Sequence, residues 1–299
     1  MAHNLYSQGT FDIGEGEGSL IQLEGRFAFI NQIEQYNNEP EKRKHPFRCL
    51  SAREEQYRKF LFYKYFFANE KPLIITEGKT DIAYIKSALK NLYMDYPNLI
   101  SKKSDTEFEF KITFLWRTKR LNHFFGINQD GADAMINIYD FYSGQNNLPN
   151  YPIYFKRICK NHPCNPVTLV FDNELRSDKD KPLKTFANKV KLSENHKSIL
   201  EEKSFVNITD NLYVLTNPVV GEKNESEIED LFGEYTLSQI IGGKAFSRES
   251  NFDNSKYYGK EIFSRYICNN YKMIDFSGFR PFLNSLSELI NTSDRNNMK

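Results

Sequence analysis

The chain has almost no net charge: 40 Lys and Arg against 39 Asp and Glu leave +1 over 299 residues. No overall field draws it to nucleic acid or to an anionic surface, so any such binding has to come from a local patch. No run of about 18 apolar residues occurs, which excludes an expected membrane span, and the first residues lack a basic-then-apolar leader pattern. The four cysteines, Cys49, Cys159, Cys164 and Cys268, are too few and too scattered for a disulfide framework. These absences predict a cytoplasmic protein with reduced thiols. No internal repeat is present. What the chain has is bulk: 25 Phe and 18 Tyr within a 39% hydrophobic composition. That is enough to bury a core in one large domain or two smaller ones.

The rest of the sequence is organised around Lys71–Leu89, KPLIITEGKTDIAYIKSAL. Pro72 to Thr76 is short, apolar and β-branched, the pattern of a buried strand, and from Ile82 apolar residues recur at helical spacing. Glu77, Gly78, Lys79 and Asp81 fill the turn between them. In open α/β sheets ligands bind beyond the carboxyl ends of the strands. There Glu77 can hold a divalent ion, Gly78 permits close backbone approach, and Lys79 offers a point charge to a phosphate. The alternative is a solvated turn with Asp81 as a helix cap.

A second run, PVTLVF over 166–171, ends in Asp172, Asn173 and Glu174. If the two strands are neighbours in a parallel sheet, Glu77, Asp172 and Glu174 converge at one edge, with Asp172 and Glu174 on the same side. Acids gathered without matching bases repel one another unless a cation lies between them. Mg²⁺ or Mn²⁺ suits an all-oxygen donor set.

Together, ITEGKTDIAYI and LVFDNE resemble the Toprim domain of topoisomerases, bacterial primases, OLD-family nucleases and RNase M5-type ribonucleases. By position Glu77 matches the family's glutamate, Gly78 its glycine, and Asp172 and Glu174 its D-x-D pair, with glutamate standing where the family usually has aspartate. ESEIEDLF, over 225–232, resembles the acidic helix start after the last Toprim strand of OLD-type nucleases, which raises Glu227 and Glu229 as ligands. The resemblance spans roughly residues 70 to 235. It implies an α/β fold, a Rossmann-like parallel sheet flanked by helices, over 70–240; apolar spacing in the flanks predicts an N-terminal helical segment over 1–69 and a C-terminal helical accessory region over 241–299.

Near the start, after a glycine-rich lead-in, LEGRFAFI lies in an expected helix from Leu20 and resembles the end of the thumb of retron-type reverse transcriptases. Some of these enzymes carry a C-terminal Toprim extension. No YADD-type box or palm-and-fingers region occurs, so polymerisation by that route is excluded. The implied partners are a retron reverse-transcriptase region and its RNA–DNA product.

Elsewhere, Ser51 and Glu54 form a capping-box pattern ahead of a helix to Asn69, whose Phe60, Tyr63, Phe66 and Phe67 are expected on the sheet, with nucleic-acid stacking as the alternative. FEFKITFLW, over 108–116, reads as one strand. Arg117, Lys119, Arg120 and His123 form the best central basic patch, either a phosphate-binding patch or a solvated loop. Gly131 suits a tight turn before a helix, and Ser143–Pro166 reads as a loop-like insertion. Cys159, His162 and Cys164 offer three zinc ligands without a fourth, so an ordinary loop is expected there. Arg176, Lys179 and Lys181 fall in a charge-mixed loop where they can face either a substrate or solvent. NLYVLTNP reads as a further strand, and two C-terminal helices are expected.

The expected function is metal-dependent hydrolysis of RNA or DNA. Glu77, Asp172 and Glu174, with Glu229, would hold Mg²⁺ or Mn²⁺, while Gly78, Lys79, Arg117, Lys119, Arg120 and Arg176 would bind substrate; Asp81 and Glu227 are secondary candidates. The retron likeness implies the toxic effector of an antiphage system. The alternatives are a non-catalytic Toprim binding module and an oligomerisation module.

Overall fold

Two β-branched runs too short to be helices, around Ile74 and Leu169, become adjacent parallel strands in which every residue is buried. In this computed structural model residues 50–127, 132–160, 162–221, 224–249 and 251–297 are described. The glycine-rich lead-in, the LEGRFAFI segment, Cys49 and Gly131 lie outside the described residues.

In chain order the elements are α1 (Ala52–Phe62), continued by a π-helical turn (Tyr63–Phe67), β1 (Leu73–Thr76), α2 (Lys79–Asn91), β2 (Ile100–Lys102), β3 (Phe108–Phe110) and β4 (Thr113–Phe114). Then come α3 (Lys119–Phe125), α4 (Ala132–Ser143), α5 (Tyr151–Cys159), β5 (Val167–Phe171), α6 (Pro182–Lys189), α7 (Glu194–Lys203), β6 (Phe205–Thr209) and β7 (Leu212–Thr216). A 3₁₀ turn (Ile228–Leu231), α8 (Glu234–Leu237), β8 (Ala245–Phe246), β9 (Tyr257–Tyr258), α9 (Lys260–Asn270), a second 3₁₀ turn (Ser277–Phe279) and α10 (Arg280–Asn297) complete the described chain.

These elements divide into two compact units. The described parts of 1–70, 116–129 and 133–164 form a helical unit, and those of 71–115, 130–132 and 165–299 an α/β unit. In the α/β unit a five-stranded sheet has the order β4-β1-β5-β7-β6, with β6 antiparallel to β7 and the other pairs parallel. The chain passes from β1 to β4 on one side of it and then returns to β5 on the other. The strand order therefore reverses between β1 and β5, which opens a crevice at their carboxyl ends. Apolar side chains of α2, α9 and α10 share one buried cluster with Ile74, Val170 and Leu215 of the sheet. On the same sheet Phe171 meets Phe186 of α6, with ring centroids 5.0 Å apart.

Two expected elements differ. FEFKITFLW is two strands rather than one: Phe108–Phe110 closes a hairpin with β2, and after Lys111 and Ile112 the chain joins the main sheet through Thr113 and Phe114. Ser143–Pro166 contains a true helix, α5, started by the Asn150 side chain accepting the Ile153 N–H at 3.0 Å, with Pro152 in its first turn. Proline there lacks only an N–H that the helix start leaves unbonded anyway.

In the helical unit the Ser51–Glu54 capping box is present. The Ser51 N–H donates to Glu54 Oε2 at 2.8 Å while the Glu54 N–H reaches Ser51 Oγ. Phe66 and Phe67, expected on the sheet, instead have ring partners on the helices of their own unit, Phe125 at 5.8 Å and Phe155 at 5.4 Å. Phe62 packs with Tyr151 and Tyr142 at 4.9 and 5.2 Å. An aromatic core of this kind suits a small unit because each ring removes a large apolar area from water.

Candidate functional site: a carboxylate cluster at the strand ends

The crevice between β1 and β5 is lined by side chains that the local sequence can hardly place elsewhere. Thr76 and Val170 are register partners, so Glu77 and Asp172 leave adjacent strands within one residue of each other. Phe171 pairs with Thr216, which brings Asn217 level with Asp172; Asn217 Nδ2 donates to Asp172 Oδ1 at 2.7 Å. The same oxygen accepts the Ile228 N–H at 2.9 Å. Asp172 is thereby fixed to the start of the 3₁₀ turn that carries Glu229.

Gly78 caps α2, and its N–H donates to Asp81 Oδ2 at 2.8 Å. A Cβ on Gly78 would stand 3.0 Å from Asp81 Oδ1, so glycine keeps the Asp81 carboxylate tight against the turn. Glu227 caps the 3₁₀ turn, its N–H donating to the Asp230 carboxylate at 2.9 Å. Glu229, the second residue of that turn, is fully buried. Its Oε2 accepts from Lys260 Nζ at 3.1 Å, and its Oε1 is buried with no hydrogen-bond partner.

The electrostatics follow from this crowding. Burial pushes the Asp172 carboxyl well above the usual range, and the charges of Asp81, Glu77, Glu229 and Glu227 push it further. Burial raises Asp81 as well, to about 6, with Glu229 adding to the shift while the Gly78 N–H and Lys260 oppose it. Tyr84 is raised by burial and by the same two acids, Glu229 and Asp81. Lys260 is the counter-charge: burial works against its ammonium, but Glu229, Glu227 and Asp172 outweigh that and raise it above an ordinary lysine. It opens α9, where a cation opposes the helix dipole, so its position is set by the acids it faces and not by the helix.

The expected residues thus separate into groups. Glu77, Asp81, Glu227 and Glu229 all act on Asp172 in the crevice. Glu174 is buried and holds Lys181 Nζ at 2.8 Å; its other oxygen has no hydrogen-bond partner. It lines a cleft of about 510 Å³ shared with Glu227, Asp230 and Arg248. Between Asp172 and Glu174, Asn173 pairs with Ser226 through two backbone hydrogen bonds of 2.9 Å. Lys79 is exposed and lies 3.5 Å from Glu261, and Arg176 forms a bidentate pair with Glu201 at 2.7 and 2.8 Å. Arg117, Lys119 and Arg120 belong to the helical unit. Cys159 and Cys164 are in no disulfide.

Lys260 and Asn217 were not among the expected site residues. Asn217 is signalled only by its place after the last parallel strand. Lys260 has no motif, and the one available hint is a lysine opening a helix after a glycine.

As a donor set the crevice is all oxygen, half-buried or buried, and short of positive charge, which fits a hard divalent cation. Among the described residues no three such side chains already stand together as a ligand set. Asp81, Asp172, Glu227 and Glu229 are held by Lys260, Asn217 or a backbone N–H instead. No family model matches the chain, and no solved structure matches it.

Proposed function

We propose that the chain is a Toprim-type, divalent-metal-dependent phosphodiesterase acting on nucleic acid. The observation that carries this reading is the convergence of Glu77, Asp81, Asp172, Glu227 and Glu229 on the β1/β5 crevice with Lys260 as their nearby cation. Glu77, Asp172 and Glu229 would hold Mg²⁺ or Mn²⁺, which when bound neutralises charge gathering on the phosphate and makes a water more acidic. Lys260, and Lys79 at the first position of α2, supply positive charge for the phosphate oxygens. Asp81, held against the turn by the Gly78 N–H beside these ligands, would act as the general base. In hydrolysis the water oxygen attacks phosphorus, the carboxylate takes the water's proton, and the P–O bond to the departing sugar oxygen breaks, with that oxygen taking a proton from solvent water. Asn217 and the Ile228 N–H keep Asp172 aimed into the crevice throughout.

The test is incubation of labelled RNA and DNA pools with the purified chain in Mg²⁺, Mn²⁺ or EDTA, comparing wild type with Asp172→Asn. We expect cleavage that needs the metal and falls at least about a hundredfold in the variant. Equal cleavage by both proteins removes the crevice from the chemistry. Metal-dependent binding with no cleavage by either supports the non-catalytic module instead.

A further inference from the structure

We infer that the side-chain carbonyl oxygen of Asn217 is a further ligand of the cation in the β1/β5 crevice, so that one amide both aims Asp172 and helps to complete the ion's shell. This deepens the reading of the crevice as a Mg²⁺ or Mn²⁺ site and rests on it.

Asn217 directly follows β7 and is 1% exposed. Its polar atoms can be accounted for one at a time. The backbone N–H donates to the Phe171 carbonyl at 3.3 Å, and the backbone carbonyl accepts from Asn173 Nδ2 at 2.9 Å. The side-chain Nδ2 donates to Asp172 Oδ1 at 2.7 Å. That leaves Oδ1, which is buried with no hydrogen-bond partner. An unmet buried acceptor is costly, and native folds keep few of them.

The amide cannot turn over to relieve it. Exchanging its two ends would set Oδ1 against the Asp172 carboxylate, two acceptors face to face. Asp172 therefore fixes the orientation of Asn217 as much as Asn217 fixes Asp172. Both donors to Asp172, Asn217 Nδ2 and the Ile228 N–H, go to its Oδ1 and leave its Oδ2 to another partner. Next after Ile228 stands Glu229, whose buried Oε1 also has no hydrogen-bond partner.

These oxygens want positive charge. A trapped water would meet the acceptors and leave the carboxylates uncompensated, whereas a divalent cation does both. Hard cations accept amide carbonyls among their oxygen ligands. With Glu77, Asp81, Glu227 and Glu229 already acting on Asp172, a neutral carbonyl adds a ligand without adding repulsion.

The experiment titrates the full chain with Mn²⁺ in the absence of nucleic acid and reads free Mn²⁺ by electron paramagnetic resonance, for wild type, Asp172→Asn, Asn217→Leu and Asn217→Asp. We expect Asn217→Leu to bind at least about tenfold more weakly. Asn217→Asp keeps an oxygen in place of the carbonyl but has no N–H for Asp172, and it should hold the wild-type affinity or exceed it. If Asn217 serves only to aim Asp172, the Asp variant loses as much as the Leu variant, and the inference is overturned. Unchanged affinity in a folded Asn217→Leu overturns it as well. Asn217→Ala takes the place of Leu should that variant lose its circular dichroism signal. Eu³⁺ luminescence lifetimes in H₂O and D₂O count the waters on a bound ion, and the Leu or Ala variant should hold about one more than wild type; an equal count counts against the ligand. Mn²⁺ binding that needs Asp172 but not Asn217 sinks this inference alone. No binding by wild type, or binding indifferent to Asp172→Asn, sinks the metal reading of the crevice and this ligand with it.

Discussion

At the scale of single residues, Lys260 decides more than any motif residue. It shares Glu229 and Glu227 at 3.1 and 3.5 Å, and Glu229 has no exposure to solvent. Removing the lysine leaves a buried carboxylate without its cation. For a fully buried pair that costs about 3–5 kcal/mol; Lys260 is partly open to water, so we expect about 2 kcal/mol for Lys260→Met in EDTA. If Mg²⁺ takes up the same carboxylates, part of that loss returns when it is added. Urea denaturation of both proteins with EDTA and with Mg²⁺ checks this, and an identical loss in the two conditions would mean that the acids bind no ion. The sequence makes Glu77 and Asp172 legible because each ends an apolar strand, a local pattern. Lys260 is not legible, because its role depends on α9 folding back onto Glu229 and Glu227, 31 and 33 residues earlier, and no local pattern marks that pairing.

At the scale of elements, the short turns aim the site. The 3₁₀ turn at Ile228–Leu231 is held by Asp172 at its start and packs on the second 3₁₀ turn, where a Cβ on Gly278 would run into the Leu231 carbonyl. Backbone cannot yield as a flexible side chain can. Gly278→Ala should therefore destabilise the chain by about 1–3 kcal/mol and displace Glu229. Chemical denaturation reads the first effect, and a loss of Mg²⁺-induced thermal stabilisation larger than the stability loss explains reads the second. Strands β1, β5 and β7 can be read from apolar runs bounded by polar turns. Helix α5 escapes that reading because its proline looks like a breaker until Asn150 is seen to cap it. The split of FEFKITFLW escapes for a different reason: one apolar segment serves two sheets, and partner choice is not written in local alternation.

At the scale of the whole molecule, the two units should respond to acid in opposite directions. In the helical unit burial raises the Glu54 carboxyl, but His123 and the Ser51 cap outweigh it and hold it at about 2. A lowered carboxyl contributes stability that is complete above its unfolded value near 4.5 and is lost as pH falls towards 2. In the α/β unit Asp81 and Asp172 are raised, so their contribution is complete below their unfolded value near 3.8 and is lost as pH rises, for Asp81 through about 6. Trp116 lies in the helical unit, so in EDTA its emission should report falling stability below about pH 4.5. Hydrogen exchange of β1 and β5 should instead slow between about pH 6 and 4, after correction for the intrinsic rate. Parallel trends in both would contradict the assignment of these groups. The sheet itself carries one more consequence. At one edge β4 has two residues, and at the other β6 breaks register between Asn207 and Thr209. Neither edge offers a long flat ladder to an incoming strand. Copies of this chain that meet at this sheet must therefore do so through side chains, and even crowded together they should resist growing into continuous fibrils through it.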